Sequence, residues 1–375
     1  MVRGQGAMEA LVGRLPDAGF WAGKKVFLTG HTGFKGGWLA LWLHMLGARV
    51  HGFALSPATE PNFFEAVGLA DVVGHEIGDI RDQARLAASM AGFAPDIVIH
   101  MAAQALVLLS YEEPVETYAT NVMGTVHVLE AVRAAPSVRA TLIVTSDKCY
   151  ENTGSLWGYR ETDPMGGHDP YSNSKGCAEL VTAAYARSFF AGRALGSVRA
   201  GNVIGGGDWS RDRLVPDIVT ALLAGRAPVL RAPGAVRPWQ HVLEPLAGYI
   251  AAIEHLAARG LTGSAWNFGP DAASEVTVGE VAGRLCAAWG GGIVPVVAGH
   301  RMAGKEAQML TLDSTKARRE LGWAARWGLD EALGATAAWY QAWNAGANMR
   351  EFTVNQIAAY CGRRAAMTGA AQEIV

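Results

Sequence analysis

The chain has 375 residues, half of them hydrophobic, and a formal net charge of −2 at pH 7, so a sizeable core is expected and nucleic acid is excluded as the main partner. The four cysteines form no Cys-x-x-Cys pair and no zinc spacing, which favours reduced thiols and no metal site. Because the N-terminus lacks a signal-peptide pattern and no apolar run reaches about 18 residues, we expect a cytoplasmic protein with no membrane partner.

Segments of strand length alternate with segments of helical length through the first half of the chain. The predicted strands are 26–28, 49–55, 72–77, 96–100 and 141–145, and a helix is predicted over about 115–134. This alternation is typical of a parallel sheet with helices on both faces, so we expect an α/β fold of the Rossmann-type, doubly wound kind. The pattern loosens beyond residue 199, where we expect a smaller C-terminal lobe to begin.

A glycine-rich turn follows the first predicted strand. Gly30, Gly33 and Gly36 have the spacing G-x-x-G-x-x-G, which lets a diphosphate approach N–H groups at a helix N-terminus. In a chain with 46 glycines the same residues can also be a plain turn between a core strand and a core helix. The spacing is similar to that of short-chain dehydrogenase/reductases, and this resemblance favours a dinucleotide site.

A second motif lies at the start of a predicted helix. Asp169 is a good N-cap and Pro170 fits the first helical position. Tyr171 and Lys175 are four residues apart, so the phenol and the amine lie on one face of the helix. Alone, such a pair is usually surface decoration. After the fifth strand of a protein with a glycine-rich loop, it instead favours a phenol that acts as a base.

Polar residues also follow the fifth predicted strand, at the edge where open α/β sheets bind their ligands. Ser146, Asp147 and Lys148 can be a strand-ending turn with a solvated ion pair. With the tyrosine and lysine of the following helix, however, Ser146 completes the Ser/Thr–Tyr–Lys set of short-chain dehydrogenases. Asp147 and Lys148 are then additional acid–base groups, which a plain dehydrogenase or epimerase does not need.

Longer motifs carry a more specific resemblance. They are GHTGFKGGWL, YEEPVETYATNVMGT, VTSDKCYEN, GYRETDPMGGHDPYSNSKGCAELV, RAGNVIGGGDW, RPWQHVLEP and LDSTKARRELGW. From about residue 20 to residue 357 the chain resembles the CDP-glucose 4,6-dehydratases, a family of extended short-chain dehydrogenase/reductases in deoxysugar and lipopolysaccharide biosynthesis. The resemblance implies a hydro-lyase that holds NAD, acts on CDP-glucose and forms a homo-oligomer. It also implies an NAD-binding domain over 20–200.

The implied domain division continues from there. Residues 201–357 mainly form the nucleotide-sugar lobe, with some segments returning to the first domain, and 1–19 and 358–375 are terminal extensions.

The resemblance implies a role for each catalytic residue. Tyr171, in a set with Ser146 and Lys175, takes the proton of the C4 hydroxyl as hydride leaves C4 for NAD. The C4 ketone acidifies the C5 proton, water is lost across C5 and C6, and hydride returns to C6. Asp147 protonates the departing C6 hydroxyl, and Lys148 serves the C5 proton transfer.

The resemblance also implies the residues that contact the cofactor and the substrate. The cofactor-binding set is Thr29, Gly30, His31, Gly33, Phe34, Lys35, Gly36, Asp79, Ile80, Ala102, Ala103, Gln104, Asn121, Tyr171 and Lys175. The substrate-binding set is Asn202, Arg237 and Lys305. NAD is favoured over NADP by the resemblance alone, because the second strand ends without an acidic residue for the adenosine 2′-hydroxyl.

Three positions depart from the family pattern: Ala105 replaces a proline, Leu108 replaces an arginine, and Lys305 replaces a histidine. Leu108 removes a cation beside the expected sugar pocket, and Lys305 either restores charge to the diphosphate end or is solvated. Two alternatives stay open. A sugar-nucleotide epimerase or reductase would keep Ser146, Tyr171 and Lys175 without using Asp147 and Lys148. An NAD-binding regulatory protein could dispense with the tyrosine and the lysine.

Overall fold

The computed structural model describes residues 14–298 and 310–362. Its main sheet has seven strands: β1 Lys25–Thr29, β2 Arg49–Ala54, β3 Gly74–Ile77, β4 Ile97–His100, β5 Ala140–Val144, β6 Ala194–Ala200 and β10 Thr262–Phe268. They lie in the order β3-β2-β1-β4-β5-β6-β10, and every neighbouring pair is parallel. The predicted doubly wound parallel sheet is confirmed.

The described helices lie on both faces of this sheet and beyond it. They are α1 Ala18–Trp21, α2 Phe34–Met45, α3 Phe63–Ala66, α4 Gln83–Phe93, α5 Val107–Glu112, α6 Pro114–Tyr118, α7 Gly124–Ala134, α8 Pro170–Phe189, α9 Leu214–Leu223, α10 Leu243–Arg259, α11 Val278–Trp289, α12 Thr315–Leu321, α13 Leu329–Asn344 and α14 Met349–Tyr360. None of them has the length and apolar character needed to span a bilayer.

Strand β1 shows how the sequence builds the two faces. Its successive side chains point to opposite sides of the sheet. Val26 and Leu28 pack with Trp38 of α2 in one fully buried cluster, whereas Phe27 packs with Leu86 of α4 in a second cluster. A strand buried on both faces is therefore continuously apolar, as predicted for this segment.

The predicted boundaries shift by one or two residues. The third strand begins at Gly74 rather than residue 72, and the predicted helix over about 115–134 begins at Pro114 as α6 and continues as α7. Between α6 and α7 the backbone forms one π-helical turn, Ala119–Met123. Such turns are frequent at functional sites, and this one contains Asn121, a predicted cofactor-binding residue.

The C-terminal half contributes both to the main sheet and to small sheets outside it. The small strands are β7 Asn202–Ile204, β8 Val229–Leu230, β9 Val236–His241, β11 Glu275–Thr277 and β12 Val296–Val297. β9 pairs with β7 and β11, and β8 pairs with β12. In the main sheet, strand β10 pairs with β6, and helix α10 packs against β6. The division at residue 200 stays a prediction.

The strand order locates the crevice. The chain runs outward from β1 through β2 and β3, then returns to place β4 on the other side of β1. Ligands of open α/β sheets bind beyond the carboxyl ends of the strands at such a reversal. The loops after β1, β4 and β5 meet there.

Candidate active site

The turn between β1 and α2 has the shape that a bound diphosphate requires. Gly30 has φ +82°, and a Cβ there would lie 2.7 Å from the backbone nitrogen of Ala102. A Cβ at Gly36 would collide with the carbonyl oxygen of Gly30. Gly33 precedes α2 without a side-chain cap, and the nearest atom to a Cβ built on it is 3.5 Å away. The first N–H groups of α2 thus face an open cradle, which fits a dinucleotide diphosphate.

A buried chain of hydrogen bonds fixes the loop after β4. The Thr29 hydroxyl accepts hydrogen bonds from the backbone N–H groups of Met101 and Ala102, at 3.1 and 3.2 Å, and lies 2.7 Å from Nδ1 of His100. Because both of its lone pairs are used, Thr29 donates to Nδ1. The ring proton of His100 then lies on Nε2, 3.2 Å from the Thr125 hydroxyl. Burial lowers the pKa of His100 to about 3, so this ring is neutral.

The π-helical turn places Asn121 between this loop and α8. Its Oδ1 accepts a 2.8 Å hydrogen bond from the backbone nitrogen of Gln104, and its Nδ2 donates to the Gln104 carbonyl at 3.0 Å. Nδ2 also donates to the Ser174 hydroxyl at 2.9 Å, which in turn donates to the carbonyl of Tyr171. Ala103 lies half-buried in the same loop. Asn121 therefore joins the predicted cofactor loop to the predicted catalytic helix.

The start of α8 is built as predicted. Asp169 is the N-cap, its Oδ1 accepting a 2.9 Å hydrogen bond from the backbone nitrogen of Ser172, and Pro170 is the first helical residue. The backbone nitrogen of Tyr171 donates to the Ser110 hydroxyl of α5 at 3.1 Å. This contact satisfies an N–H group that has no partner within the helix. The backbone of Tyr171 is thereby fixed at the crevice.

At the end of β5 the chain turns in a short 3₁₀ segment, with Ser146 as its N-cap. The Ser146 hydroxyl donates to Oδ1 of Asp147 at 2.9 Å and accepts from the backbone nitrogen of Lys148 at 3.2 Å. Asp147 is 3% exposed, and its Oδ2 has no hydrogen-bond partner within the described structure. Burial raises the pKa of Asp147 above its usual range, although the charges of Lys148 and Arg237 oppose the shift.

The two helical candidates have unequal environments. Burial raises the pKa of Tyr171 to about 12, while a hydrogen-bonding interaction with the Ser146 hydroxyl and the charge of Arg213 act in the opposite direction. Burial lowers the pKa of Lys175 to about 8, and its amine donates to the carbonyl of Val144 at 3.4 Å. Tyr171 is therefore neutral in the protein alone, so its use as a base requires positive charge brought by a ligand.

Lys35 does not point along the diphosphate cradle. Its amine donates a 2.9 Å hydrogen bond to the Tyr249 hydroxyl of α10. Burial and the charges of Lys175 and Arg213 lower the pKa of Lys35 to about 7, and Asp147 opposes the shift. The amine thus belongs to the group of charges around the reaction centre, which sequence spacing did not indicate.

Other predicted cofactor residues next to the loop are packing groups. His31 is fully buried against Phe64, and neither of its ring nitrogens has a hydrogen-bond partner within the described residues. A Cβ on Gly52 would collide with this ring, and burial lowers the pKa of His31 to about 4. The ring of Phe34 lies 3.2 Å from where a Cβ of Gly205 would be. Both side chains therefore stabilise the glycine-rich turn by packing.

The predicted adenine contacts differ in accessibility. The carboxylate of Asp79 accepts hydrogen bonds from Arg81 and stays partly exposed. Ile80 is 3% exposed and packs over Gly124, where a Cβ would collide with it. The side chain of Ile80 is therefore a core group, while Asp79 remains accessible.

The β6–β7 turn and β9 adjoin the carboxyl group of Asp147. A Cβ on Gly201 would lie 3.3 Å from Oδ2 of Asp147. Asn202 is half-buried in β7, and Arg237 is buried in β9, where its guanidinium donates to the carbonyl of Val236 at 2.8 Å. The charge of Arg237 acts on Asp147. The predicted substrate residues Asn202 and Arg237 are thus brought near the predicted acid.

Arg213, which the sequence analysis did not identify, lies beside two positions that depart from the family pattern, Ala105 and Leu108. Arg213 pairs with Asp208 at 3.2 Å and donates to the carbonyl of Ala105 at 3.4 Å. Leu108 is exposed on α5, next to this loop. Arg213 therefore supplies positive charge close to the position where the family arginine is missing. Lys305 lies outside the described residues.

A buried ion pair lies behind the site. Glu179 of α8 accepts 2.7 Å hydrogen bonds from Arg199 and Ser197 and a short one from Thr145, which precedes Ser146. Arg199 also donates to the Tyr150 hydroxyl at 2.6 Å. Burial alone would raise the pKa of Glu179, but Arg199 and these hydrogen bonds hold it below its usual range. The network ties the end of β5 to α8 and β6.

Comparison with known proteins agrees with this arrangement. The chain is 51% identical over 352 residues to the CDP-glucose 4,6-dehydratase of Salmonella typhimurium, covering 92% of this chain and 98% of that protein. It is 29% identical to a dTDP-glucose 4,6-dehydratase of Xanthomonas campestris, over 88% of this chain and 98% of that protein.

Solved structures resemble the fold. A dTDP-glucose 4,6-dehydratase from Streptomyces venezuelae, with NAD and TYD bound, superposes with a TM-score of 0.71 at 26% identity, over 84% of this chain and 97% of that one. A UDP-glucose 4-epimerase from Thermotoga maritima gives 0.75 at 22% identity, over 84% and 98%. The sequence model for GDP-mannose 4,6 dehydratase matches residues 27–336. The chain therefore belongs to the GDP-mannose 4,6 dehydratase family.

Proposed function

We propose that this protein is a hydro-lyase that converts CDP-D-glucose to CDP-4-dehydro-6-deoxy-D-glucose and water with bound NAD. One observation carries the proposal. A buried carboxyl, Asp147, shares a hydrogen bond with Ser146 and keeps one oxygen without a partner among the described residues. An epimerase or reductase needs no acid there, whereas an elimination needs one to protonate a hydroxide leaving group. The 51% identity to a CDP-glucose enzyme supports the choice of substrate.

The cofactor would lie on the glycine cradle of Gly30, Gly33 and Gly36, since a side chain at Gly30 or Gly36 would collide with neighbouring backbone. Thr29 and the loop fixed by Asn121 border its centre. Bound NAD supplies an acceptor for the C4 hydride, a donor for C6, and positive charge that favours the phenolate of Tyr171.

Each catalytic side chain then has a separate role in proton transfer. Tyr171 takes the C4 hydroxyl proton, and Ser146 and Lys175 complete its catalytic set. Once C4 is a ketone, Lys148 takes the acidified C5 proton. Asp147, whose pKa is raised by burial, gives its proton to the departing C6 hydroxyl. Lys148 returns the C5 proton after C6 is reduced.

Substrate contacts complete the proposal. Asn202 and Arg237, with Lys305, hold the nucleotide-sugar diphosphate, and Arg213 adds charge at the sugar pocket. Residues 20–200 mainly bind NAD and residues 201–357 mainly bind the nucleotide sugar. The enzyme is a cytoplasmic homo-oligomer. Exposed apolar side chains on α6 and α8, such as Val115 and Leu180, support self-association.

A substrate comparison tests this function. The purified protein is incubated with CDP-, dTDP-, UDP- and GDP-glucose, and the alkali-induced absorbance of a 4-keto sugar is followed. We expect a clear preference for CDP-glucose in kcat/KM and near-stoichiometric release of NAD on denaturation. Equal use of dTDP-glucose would contradict the base preference. Formation of CDP-galactose without a 4-keto product would favour an epimerase.

A further inference from the structure

Arg213 lies between two loops beside the crevice. Its Nη2 donates to the carbonyl of Ala105 at 3.4 Å, and Ala105 directly follows Gln104 of the predicted cofactor loop. Its Nη1 donates to Oδ2 of Asp208 at 3.2 Å. The side chain is 36% exposed, and these contacts engage two of its five N–H donors within the described structure. Arg213 can therefore also donate to a ligand in the crevice.

The backbone of Asp208 is anchored to the core by one tyrosine. The N–H of Asp208 donates to the Tyr340 hydroxyl of α13 at 3.0 Å, and the same hydroxyl donates to the carbonyl of Asp208 at 2.5 Å. Tyr340 is fully buried. Two residues earlier, a Cβ on Gly206 would lie 2.0 Å from the side chain of Trp339, so the chain packs directly on α13. Asp208 thus has a fixed position relative to the core.

The side chain of Asp208 is fixed as well. Its Oδ1 accepts a 3.0 Å hydrogen bond from the backbone nitrogen of Ser210, while Oδ2 accepts from Arg213. Asp208 is 5% exposed, so its carboxylate is shielded from a ligand. A carboxylate that met the substrate directly would also repel its diphosphate. Asp208 can therefore favour an anionic ligand only through Arg213.

The strength of this ion pair indicates where its effect lies. A pair with a partly exposed guanidinium contributes little to folding stability. An unrestrained arginine, however, samples many rotamers, and fixing it when a ligand binds costs conformational entropy. A carboxylate on a rigid backbone removes most of that cost in advance. The pair is thus better suited to ligand binding than to folding.

We propose that Asp208 is a positioning residue for substrate binding, which holds the guanidinium of Arg213 beside the cofactor loop, where it receives the nucleotide sugar. This inference rests on the proposed function and identifies one determinant of substrate affinity at the same site. Asp208 itself does not contact the substrate. The exposed Leu108 of α5 brings no cation to this place, so positive charge at this loop depends on where Arg213 is held.

A double-mutant cycle tests this role. Wild type, Asp208→Asn, Arg213→Ala and the double variant are assayed for 4-keto product over a range of CDP-glucose concentrations. Asparagine keeps an oxygen for the N–H of Ser210, but its Nδ2 cannot accept from Arg213. We expect Asp208→Asn to raise KM roughly three- to tenfold with kcat nearly unchanged, as for a lost contribution to binding. In the Arg213→Ala background, Asp208→Asn should have no further effect.

Two other variants separate position from charge. Arg213→Lys keeps the charge, but its single amine cannot reproduce the planar fork that contacts Asp208 and Ala105 together. Its KM should therefore rise nearly as far as that of Arg213→Ala. Asp212→Asn is the matched control, because it breaks an ion pair with Arg231 in the same loop and asparagine tolerates the positive φ of this residue. Its KM should stay near the wild-type value.

The contrary outcomes are distinct. If Asp208→Asn leaves KM unchanged, or raises it equally with and without Arg213, the proposal is wrong. A wild-type KM in Arg213→Lys or Arg213→Ala would also overturn it, and these measurements do not require Asp208→Asn to fold. A rise in Asp212→Asn equal to that in Asp208→Asn would assign the effect to the whole loop and refute the role of Asp208.

The proposed function is tested separately by the wild type. If wild type forms no 4-keto product from CDP-glucose, the proposed function itself fails. An active wild type together with any of the contrary results refutes only the role of Asp208.

Discussion

The amine of Lys35, at the start of α2, donates a 2.9 Å hydrogen bond to the hydroxyl of Tyr249 on α10. A lysine in the first turn of a helix opposes the helix dipole, so this position is unfavourable for a cation. Burial and the like charge of Lys175 lower the pKa of Lys35 to about 7. The phenol of Tyr249 interacts with both Tyr171 and Asp147. Lys35 is therefore electrostatically coupled to the proposed catalytic groups from the cofactor loop.

We predict that NMR of isotope-labelled lysine side chains will show two amines that titrate near pH 7 and pH 8, from Lys35 and Lys175. Lys35→Met should remove the lower transition and leave that of Lys175 nearly in place, because Lys35 is already mostly neutral at pH 8. Lys35→Arg keeps a positive charge at this pH and should therefore move the transition of Lys175 downward. If every lysine titrates near its ordinary value, the coupling is absent.

Asp147→Asn should separate oxidation from elimination. Asparagine can hydrogen-bond but has no acidic proton to give, and general-acid help is typically worth roughly 10²–10⁴ in rate. After mixing with CDP-glucose we expect reduced-nicotinamide absorbance and 4-keto-glucose to accumulate. Tyr171→Phe is the matched control and should block both. Full dehydratase turnover in Asp147→Asn would show that Asp147 does not act as the acid and only belongs to a strand-ending turn.

Arg213 should replace the missing family cation. Arg213→Ala is expected to raise the KM for CDP-glucose roughly tenfold or more, as expected for a lost hydrogen bond to a charged group. Adding Leu108→Arg to Arg213→Ala should recover much of the loss, because the exposed Leu108 adjoins the same loop. Arg284→Ala, which breaks only exposed ion pairs, is the control. Additive effects in the double variant would show that the two positions are independent.

The pair of Glu179 and Arg199 should be costly to break. Glu179→Gln leaves the guanidinium of Arg199 buried without its counter-charge, so the free energy of unfolding should fall by roughly 3–5 kcal/mol. Glu130→Gln removes a surface ion pair with Arg133 and should change the free energy of unfolding by less than about 1 kcal/mol. Urea unfolding of the two variants checks the contrast. Similar small losses would mean that the buried network contributes little.

Stability should fall in mild acid because of His241. Burial between Trp38 and Trp327 lowers the pKa of His241 to about 3, against 6.5 for an ordinary histidine. Between these values the unfolded chain binds the extra proton, so stability is lost as pH falls below 6.5. This residue alone should make the protein about 2 kcal/mol less stable at pH 5 than at pH 7.

The variant His241→Phe checks this prediction through the slope of stability with pH rather than its absolute value. We expect the slope between pH 5 and pH 7 to decrease, measured by urea unfolding at each pH. His44→Gln, at an exposed position on α2, should leave the slope unchanged. An unchanged slope in His241→Phe would assign the acid sensitivity to other groups.

The sequence by itself determined the sheet and much of the site's composition. Continuous apolar strands, as at Val26, can exist only where both faces are covered, and the glycine spacing and the cap at Asp169 are local requirements of backbone geometry. Helical spacing placed Tyr171 and Lys175 on one face because it is a property of the helix alone. The relatives then support the function that the longer motifs implied.

Tertiary structure decided what the side chains face. Lys35 reaches Tyr249, more than 200 positions away in sequence, and Arg213 reaches the carbonyl of Ala105, 108 positions away. The effect of Ser146 and Asp147 on the pKa of Tyr171 depends on packing α8 against the turn that follows β5. Local sequence fixes backbone conformation, whereas pKa values and hydrogen-bond direction depend on burial and on charges contributed by distant segments.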